Sequence, residues 1–502
     1  MVIALQNDNA TITLSAMKLR PLSDSTLAQV RAEVARPRYA RGACRVGWLH
    51  FGPGAFHRAH QAYYADRLLE RDPRWAISAV ALHSGAVRDA LAPQNYLYCL
   101  AELAAAAPLR VIGALHEILV APSERPAVFA RLEAPETQLV TLTVTEKGYC
   151  LGGDGQLDFA HPEIAHDLRA DGAVRSVIGF LTEGLRRRHA RGVAPFVVVS
   201  CDNLPDNGPT LRAAVMAFAA QRDPALARWI EHEVAFPRTM VDSITPATDA
   251  DLIVRVAAEC GLDDAWPVQR ERFTQWVIED VPAVRVADWA AVGVTLAPDV
   301  SVYDRAKLRV VNGAHSMLAY LGLLRGHTTV AEAMRDRPLA HCVERLLREE
   351  VAPGLRASGS FEVGAYIGAT LDRFRNPRVR HQLAQIAWDG SKKLPVRLLP
   401  SVAEAMAAGR PFAHLALALA AWMRFVVGRA RADGGLTDPQ AERLLALGRA
   451  CTDQAEHDVE GFLALTEIFP PHLARAALFR SAVARAYRDL GANGSLPAEE
   501  RA

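Results

Sequence analysis

The first half of the chain alternates short apolar runs with segments of helical spacing, and this alternation constrains the fold more than any other feature. The runs are rich in β-branched or aromatic residues and lie at 45–51, 75–82, 138–146, 195–203 and 273–280. Helix-like segments such as 57–70 and 209–222 lie between several of them. Near-continuous apolar strands separated by helices predict an α/β fold with a mostly parallel sheet covered on both faces.

Beyond about residue 290 the pattern changes to Ala, Leu and Arg at helical spacing, as in "HCVERLLREEVAPGL" and "QAERLLALGRACTDQ". This spacing predicts a mostly α-helical second domain. A chain of 502 residues also exceeds the size at which a single core keeps growing. We therefore predict two domains, 1–288 and 289–502.

Charge and apolar runs exclude several classes of partner. The chain has 57 basic and 56 acidic residues, so no overall field favours nucleic acid or a membrane surface. The apolar run 415–423 is too short to span a bilayer and predicts a buried helix. The N-terminal stretch has no secretory pattern. We expect a cytoplasmic protein, monomeric or a small homo-oligomer, that binds a small molecule.

The seven cysteines are scattered singly, with no C-x-x-C pair. This distribution indicates neither a disulfide framework nor a thiolate zinc site.

A glycine-rich turn, "HFGPGAFHRAH", follows the first predicted strand and enters an apparent helix. Gly52 and Gly54 would let the backbone turn tightly and approach a pyrophosphate, whose charge is favoured at a helix N-terminus. However, His57 replaces the third glycine of the dinucleotide fingerprint, and no acid follows the second strand. The segment therefore fits either a dinucleotide-binding turn or an ordinary strand-to-helix turn. His57 and His60 have no third ligand at a recognisable spacing and do not predict a metal site.

The segment "KLRVVNGAHS" carries three polar residues between apolar ones. In a regular α-helix, Lys307, His315 and Asn312 lie at roughly 0°, 80° and 140°, on one side beside the apolar stripe. Arg309 and Ser316 then fall on the solvent side. Polar groups at a buried margin need partners, so the trio indicates either a satisfied internal network or a ligand-binding cleft. A partly desolvated lysine can exchange a proton near neutral pH, and asparagine can donate to a developing alkoxide.

Three more polar islands favour the cleft. "VVVSCDNLPDNG" places Asp202, Asn203 and Asn207 at the carboxyl end of a strand, where open parallel sheets bind ligands. "FPRTMVDSITPATD" contributes Asp242 from a loop. The third island fits either a solvated basic face or a group that holds an anionic substrate. Its basic residues are Arg373, Arg375, Arg378, Arg380, His381, Lys392, Lys393 and Arg397.

Taken together, these islands resemble the long-chain polyol and sugar-acid dehydrogenases of the mannitol dehydrogenase family. "GPGAFHRAHQA", "TVTEKGY", "SCDNLPDNG", "MVDSITPATD", "KLRVVNGAHS" and "RFRNP...DGSKKLP" occur in that family's order and span most of the chain. The resemblance implies an N-terminal Rossmann-type domain and a mostly helical C-terminal domain. It also implies zinc-independent hydride transfer between NAD and a keto sugar, with NADP not excluded.

The resemblance further implies roles for individual residues. Lys307 would be the general acid/base, with Asn203 and Asn312 as hydrogen-bond donors to the carbonyl oxygen and His315 in the same catalytic set. Substrate hydroxyls would contact His315, Asp242 and Arg373. Cofactor contacts would come from Phe51, Gly52, Gly54, Ala55, Phe56, Thr145 and Glu146.

One departure from the family concerns the exit of the proton. The polyol enzymes carry "YE" ahead of this lysine, where a glutamate is thought to gate proton release. Here the stretch is "YDRAK", with Asp304 three residues before Lys307. The shorter carboxylate leaves the proton route open.

The substrate is expected to be a sugar acid, because "SKKLPVRLLP" and "AAWMRF" look closer to the fructuronate reductase branch of the family. A uronate carries a carboxylate, whereas mannitol needs no cation. We therefore expect reduction of the C5 ketone of D-fructuronate to D-mannonate. The alternatives are mannitol or arabinitol oxidation and, more remotely, a non-catalytic nucleotide-binding protein. Counter-charge for the carboxylate would come from Arg380, His381, Lys393 and Arg397.

Overall fold

The computed structural model of the chain describes residues 19–104, 106–169, 173–355, 361–491 and 494–497. Most of the N-terminal stretch considered for a secretory pattern lies outside these residues. The chain divides into two compact units, Met1–Val300 and Ser301–Ala502. The sequence places the boundary at 288/289, but a strand at Thr295–Ala297 still pairs within the first unit.

The strands all belong to the first unit, as far as the described residues go. They are β1 (Trp48–Phe51), β2 (Ile77–Ala81), β3 (Tyr98–Glu102), β4 (Arg110–Ile112), β5 (Leu115–Val120), β6 (Leu139–Leu142), β7 (Val197–Ser200), β8 (Thr239–Asp242), β9 (Val268–Arg270), β10 (Gln275–Glu279) and β11 (Thr295–Ala297). The α-helices of this unit are α1 (Ala55–Ala59), α2 (Gln61–Leu69), α3 (Ala86–Leu91), α4 (Ala121–Glu133), α5 (Pro162–Arg169), α6 (Val177–Ala190), α7 (Asn207–Arg222), α8 (Pro224–Glu233), α9 (Ala250–Cys260) and α10 (Trp289–Val292).

The main sheet has five parallel strands in the order β5-β2-β1-β6-β7. Trp48 and Ile77 pack into the apolar cluster on one face, and Leu49 and Val80 into the cluster on the other. The predicted parallel sheet with both faces covered is thus confirmed. The strand order reverses between β1 and β6, which makes the carboxyl ends of these two strands the topological switch point.

The predicted strand at 273–280 exists as β10, but its expected place in the main sheet is wrong. It lies between β8, which is antiparallel to it, and β11, which is parallel. A further small sheet has the order β4-β3-β9. An apolar run reveals a strand but not its pairing partner, so periodicity alone could not separate these sheets.

The second unit is helical, as predicted. Its α-helices are α11 (Ser301–Ala306), α12 (Gly313–Leu324), α13 (Val330–Ala333), α14 (Arg337–Arg345), α15 (Val363–Phe374), α16 (Leu383–Ile386), α17 (Gly390–Arg397), α18 (Leu399–Ala407), α19 (Ala413–Arg431), α20 (Ala441–Ala450), α21 (Ala455–Leu463), α22 (Pro471–Ala474) and α23 (Ala477–Asp489). Among the helices described, only α19 has the length and apolar character to cross a membrane, and 72% of that apolar stretch is buried within the protein. Burial of 415–423 confirms the prediction of a core helix.

Between α11 and α12 the chain forms a π-helical turn, Lys307–Asn312. The regular α-helix assumed from the sequence is therefore wrong at this point. Arg309 and Ser316, predicted on the solvent side, are 7% and 3% exposed. Arg309 donates two hydrogen bonds to the Glu404 carboxylate, at 2.6 and 2.7 Å. The helix is covered on this side too, so its polar residues are paired inside the unit.

Candidate active site

The loop after β1 forms a tight turn against the end of β6. Gly52 has φ +96°, a left-handed conformation that favours glycine. A Cβ at this position would lie 2.2 Å from the carbonyl oxygen of Thr143. At Gly54 the nearest atom to an added Cβ is 4.0 Å away. Gly52 thus makes the turn possible, and the backbone at Gly54 stays open to close approach.

A chain of hydrogen bonds runs from the core to this turn. The Trp48 indole N–H donates to Thr141 Oγ1 at 2.7 Å, and Thr141 Oγ1 lies 2.6 Å from Nδ1 of His50. On the other side of the ring, Nε2 lies 3.1 Å from the Gly52 carbonyl oxygen and 2.9 Å from Thr143 Oγ1. Thr143 Oγ1 itself donates to the Gly52 carbonyl at 2.8 Å.

These contacts fix the tautomer of His50. The Gly52 carbonyl can only accept, and the Thr143 proton already points at it, so His50 Nε2 must be the donor. Nδ1 then accepts from Thr141, and every hydrogen bond in the chain runs toward the turn. We call this chain of hydrogen bonds from Trp48 to Gly52 the His50 relay.

Burial keeps the imidazole of His50 neutral, because it lowers the pKa to about 3 against the opposing effect of the bond to Gly52. His57 stacks on it with 3.4 Å between ring centroids. Neither ring nitrogen of His57 has a hydrogen-bond partner among the residues described. The observed role of His57 is therefore to pack against His50. The predicted helix 57–70 is interrupted at His60, which separates α1 from α2.

A cavity of about 590 Å³ lies at the carboxyl ends of β1, β2 and β6. Its volume falls in the range of small-molecule pockets. His83 and Ser84 occupy the position after β2 where dinucleotide sites often carry an acid. Lys147 adds a positive charge to the wall. Other lining residues are Gly52, Gly54, Leu82, Thr143, Thr145, His161 and Glu163.

The residues predicted to contact the cofactor are distributed around this cavity. Gly52, Gly54 and Thr145 line it. Phe51 is fully buried, and its side chain packs against Phe180 with 5.9 Å between ring centroids. Its side chain therefore belongs to the core. Ala55 and Phe56 are the first two residues of α1, and Glu146 is exposed beside the cavity.

The loop after β6 is held by a carboxylate from the segment that follows β7. Asp202 accepts hydrogen bonds from the backbone N–H of Thr145 at 2.8 Å and of Val144 at 3.2 Å. The Tyr149 hydroxyl donates to the same carboxylate at 2.9 Å. Burial raises the pKa of Asp202, and these bonds oppose the rise. Asp202, predicted near a ligand, thus shapes the cavity wall by fixing Thr145, whose φ is +65°.

The other polar residues after β7 and β8 have different surroundings. Asn207 is buried and donates to the backbone of β7 and β8, so it joins the two strands. Asn203 is exposed just beyond the end of β7. Asp242 is the last residue of β8 and is 6% exposed. Asn203 thus lies at a strand end, as predicted, whereas Asp242 belongs to β8 and not to the predicted loop.

In the second unit, Lys307 and Asn312 are the first and last residues of the π-helical turn. Both side chains are half-buried. With i→i+5 hydrogen bonding, residues five apart lie roughly 50° apart around the axis, instead of roughly 140° in an α-helix. The wider turn therefore brings the asparagine closer to the face that carries the lysine than the sequence predicts.

His315 is buried on α12 between two rings. Its centroid lies 4.6 Å from that of Phe374 and 4.9 Å from that of His381. Within the described part of the chain, His315 Nε2 and His381 Nδ1 are buried and have no hydrogen-bond partner. Two buried imidazole nitrogens that lack a partner are costly unless something binds there.

Three basic side chains surround these imidazoles, and we call the five residues together the cation cluster. Burial, followed by the positive charges of its neighbours, holds the pKa of each imidazole below the usual range. Both rings are therefore neutral near pH 7. The members of the cluster are His315, Arg373, His381, Lys393 and Arg397.

The cations are themselves partly desolvated. Burial and the charge of Arg397 lower the pKa of Lys393, whereas Asp389 and Asp438 oppose the shift. Lys393 Nζ donates to the Ile386 carbonyl at 3.2 Å. Burial also lowers the pKa of Arg397. The cluster thus holds the positive charges of Lys393 and Arg397 in a partly buried environment, which disfavours charged groups.

The other bases of the third island lie at the surface. Arg375 is 47% exposed and pairs with Asp372. Arg380, one of the predicted substrate contacts, is exposed in the turn after α15, where its backbone carbonyl accepts from Gln382. The contacts described for Arg380 therefore do not place it in the cation cluster. Arg378 and Lys392 are exposed as well.

The sequence interpretation missed the His50 relay. A signal for it exists, because Thr141 and Thr143 are two residues apart in the predicted strand 138–146, and such residues point to the same face of a strand. His50 likewise interrupts an otherwise apolar strand. Nothing in either pattern indicates that the two strands are neighbours, and the relay depends on that pairing.

Comparison with protein families gives matches over both units. The family model described as the mannitol dehydrogenase Rossmann domain matches residues 46–289. The model described as the mannitol dehydrogenase C-terminal domain matches residues 299–491. Together they cover most of the chain.

Individual relatives match along nearly their whole length. The D-mannonate oxidoreductase of Escherichia coli (strain K12) is 38% identical over 480 residues, which cover 94% of this chain and 98% of the relative. The Pseudomonas fluorescens mannitol 2-dehydrogenase, solved with NAD and D-mannitol, is 37% identical with a TM-score of 0.78, covering 94% of this chain and 97% of that one. A substrate-free D-sorbitol dehydrogenase has a TM-score of 0.86 at 31% identity, covering 95% and 100%.

Proposed function

The chain belongs to the mannitol dehydrogenase family, and from that premise we propose that it uses NAD to interconvert D-fructuronate and D-mannonate. The family membership predicted from the motifs is confirmed, and with it the assignment as an oxidoreductase. Sequence identity does not distinguish between the possible substrates, because a D-mannonate oxidoreductase and a mannitol 2-dehydrogenase are 38% and 37% identical to the chain. The choice of a sugar acid rests on the charge of the second unit.

The first unit offers a site that fits NAD. The backbone near Gly54 is open, Lys147 provides positive charge for a pyrophosphate, and the cavity lies at the switch point of the parallel sheet. Bound NAD supplies a nicotinamide that accepts or donates the hydride. Because no acid follows β2, we assign recognition of the ribose hydroxyls to Ser84 and His83, which line the cavity.

We assign proton transfer to Lys307. Its half-buried position at the π-helical turn limits hydration of the amine, and partial desolvation favours proton exchange near neutral pH. In the reductive direction the amine donates a proton to the carbonyl oxygen, and Asn312 donates a hydrogen bond to the same oxygen. A preorganised donor of this kind is typically worth about 3 kcal/mol of barrier. The roles predicted for Asn203 and Asp242 stay predictions.

The cation cluster is the observation that carries the choice of a sugar acid. Arg373, Lys393 and Arg397 converge on two neutral imidazoles with unsatisfied nitrogens. A uronate brings one carboxylate that compensates charge and several hydroxyls that donate or accept hydrogen bonds. A neutral polyol supplies the hydroxyls only. Charge-assisted hydrogen bonds contribute about 1.5–3 kcal/mol, so a carboxylate should bind better by roughly 10–100-fold.

A substrate screen with the purified protein tests this proposal. NADH oxidation is followed with D-fructuronate, D-tagaturonate and D-fructose, and NAD reduction with D-mannonate and D-mannitol. We expect kcat/KM for fructuronate to exceed that for fructose by at least roughly 10-fold, and turnover to persist after metals are chelated. Fructose reduction as fast as fructuronate reduction would instead identify a polyol dehydrogenase.

A further inference from the structure

A group of metal-ligating side chains borders the dinucleotide cavity and has no part in the proposed reaction. Cys150 follows the 3₁₀ turn Glu146–Tyr149, and Glu163 lies in the first turn of α5. His161 directly precedes that helix. One ligand atom from each of the three residues lies within 4.8 Å of the other two.

From this geometry we propose that Cys150, His161 and Glu163 form a binding site for a divalent transition-metal ion of the zinc type. A thiolate, an imidazole and a carboxylate are the three ligand classes that Zn²⁺ combines in proteins. The same mixture does not suit Mg²⁺ or Ca²⁺, which prefer oxygen ligands. A water molecule would complete a tetrahedral shell.

The spacing requires only a small movement. Cys150 Sγ lies 4.0 Å from Glu163 Oε2. Ligand atoms around a tetrahedral zinc ion are roughly 3.3–3.8 Å apart at bond lengths of about 2.0–2.3 Å. No edge of the group exceeds 4.8 Å, so each edge needs to shorten by at most roughly 1.5 Å.

Backbone hydrogen bonds already hold the group together. The Asp158 N–H donates to the Cys150 carbonyl at 2.9 Å, and the His161 N–H donates to the Asp158 carbonyl at 3.1 Å. The Glu163 N–H lies 3.4 Å from His161 Nδ1. The three ligands thus come from one short, closed stretch of chain, which lowers the ordering cost of binding an ion.

The electrostatic surroundings suit a dication better than a free thiol. The carboxylates of Asp158, Glu163 and Asp167 act electrostatically on the Cys150 sulfur. Their negative field attracts a metal ion. On binding, the S–H bond breaks, a metal–sulfur bond forms, and one proton passes to the buffer.

The site would be structural or regulatory, because its ligands differ from the residues assigned to proton transfer. His161 and Glu163 line the cavity assigned to NAD, so a bound ion would change its wall. Cys150 is not among the cavity-lining residues described. The proposal concerns ion binding alone and does not depend on which sugar the enzyme reduces.

Co²⁺ is the probe for the experiment, because cobalt bound to a thiolate has a charge-transfer band in the near ultraviolet. Full-length protein is titrated with Co²⁺, and the band, the stoichiometry and the protons released in weak buffer are measured. We expect one ion and one proton per chain, displacement by Zn²⁺, and a higher Tm with the ion bound. Absence of saturable binding would overturn the proposal.

Matched variants locate the site. Cys150→Ser should abolish the charge-transfer band, while Cys44→Ser, which removes a thiol elsewhere, should keep it. His161→Gln and Glu163→Gln should each weaken Co²⁺ binding by at least roughly 10-fold. These two variants also cover the case in which Cys150→Ser does not fold. A band that survives in Cys150→Ser, or binding unaffected by both glutamine variants, would place the ion elsewhere.

Discussion

The His50 relay and the cation cluster solve opposite problems with buried polar groups. In the relay, a neutral imidazole has a defined partner on each nitrogen, and the hydrogen bonds end on the Gly52 carbonyl. In the cluster, two neutral imidazoles each keep a nitrogen that lacks a partner within the described chain, and cations surround them. The relay is complete without a ligand, whereas the cluster is not.

This difference indicates how each unit would bind its ligand. A completed network holds the Gly52 turn in one shape, so the cofactor meets a preformed surface. An incomplete, positively charged network stabilises an anion that completes it. We expect substitutions in the two regions to separate cofactor affinity from substrate selection.

The largest effect should come from Lys307→Ala. Loss of the proton donor should lower kcat by about 10²–10⁴-fold, because general acid catalysis contributes this much. NADH affinity, measured by fluorescence titration, should stay unchanged, since the relay is intact. Lys392→Ala, which removes an exposed lysine from the same unit, is the control. A Lys307→Ala enzyme with the wild-type rate would remove the amine from the mechanism.

A smaller but more selective effect is expected from Lys393→Met. Removing one cation from the cluster should lower kcat/KM for fructuronate by roughly 10–100-fold. The value for fructose should change far less, because a ketose has no carboxylate to lose. Lys392→Met is the matched neighbour and should affect neither substrate. Equal losses for both sugars would mean that Lys393 recognises hydroxyls and not charge.

His50→Phe should break the relay and leave the cluster intact. The ring can still stack on His57, but the bonds to Thr141 and to the Gly52 turn are lost. We expect the Kd for NADH to rise about 10-fold, equivalent to about 1.4 kcal/mol, with KM for fructuronate unchanged. His57→Phe keeps the same stack and removes no described hydrogen bond, so its Kd should stay near wild type. Similar shifts in both variants would assign the effect to packing.

The smallest expected effect concerns a buried carboxyl in the first unit. Burial raises the pKa of Asp66 to about 6, although bonds from Tyr39 and Gly113 oppose the rise. Between the unfolded pKa of about 3.9 and this value the folded state binds more protons, so its contribution to stability falls as pH rises. From about pH 5 to about pH 7 this loss is about 1 kcal/mol.

Asp66→Asn should abolish that slope. The free energy of unfolding, measured in urea at several pH values, should then fall less between about pH 5 and about pH 7 than in the wild type. Asp89→Asn, which changes an exposed aspartate in the same unit, is the control. Parallel curves for wild type and Asp66→Asn would mean that Asp66 stays ionised throughout.

The sequence predicts the sheet because the strands that form it are unbroken apolar runs. β1, β2, β6 and β7 all lie inside predicted strands, and covering of both faces follows from their composition. β10 has the same composition but pairs with β8 and β11. Its partners depend on loops whose paths no local pattern specifies.

The site is predictable in its residue types and not in its geometry. Placing Asn203 at the carboxyl end of a strand needed only the rule for parallel sheets. The sequence places Asp242 in a loop, but it instead ends β8, which pairs antiparallel to β10 outside the main sheet. The sequence could not tell which bases join the cation cluster and which face solvent, because neighbouring basic residues look alike. Helix packing decides this: Lys393 and Arg373 belong to the cluster, whereas Lys392 and Arg380 are exposed. The π-helical turn at Lys307 could not be found, because one altered hydrogen-bonding step leaves no mark on the apolar spacing.

That turn accommodates one residue more than an α-helix would need to place Lys307 beside Asn312. Deleting one residue between them would let the segment relax into an ordinary α-helix and keep the same apolar contacts beyond it. The lysine and the asparagine would then be four residues and roughly 40° apart around the axis, close to the roughly 50° of the π-helical turn. The shortened chain should therefore fold with the two side chains still adjacent, although the same deletion in a regular α-helix would rotate one side of the helix by about 100° relative to the other.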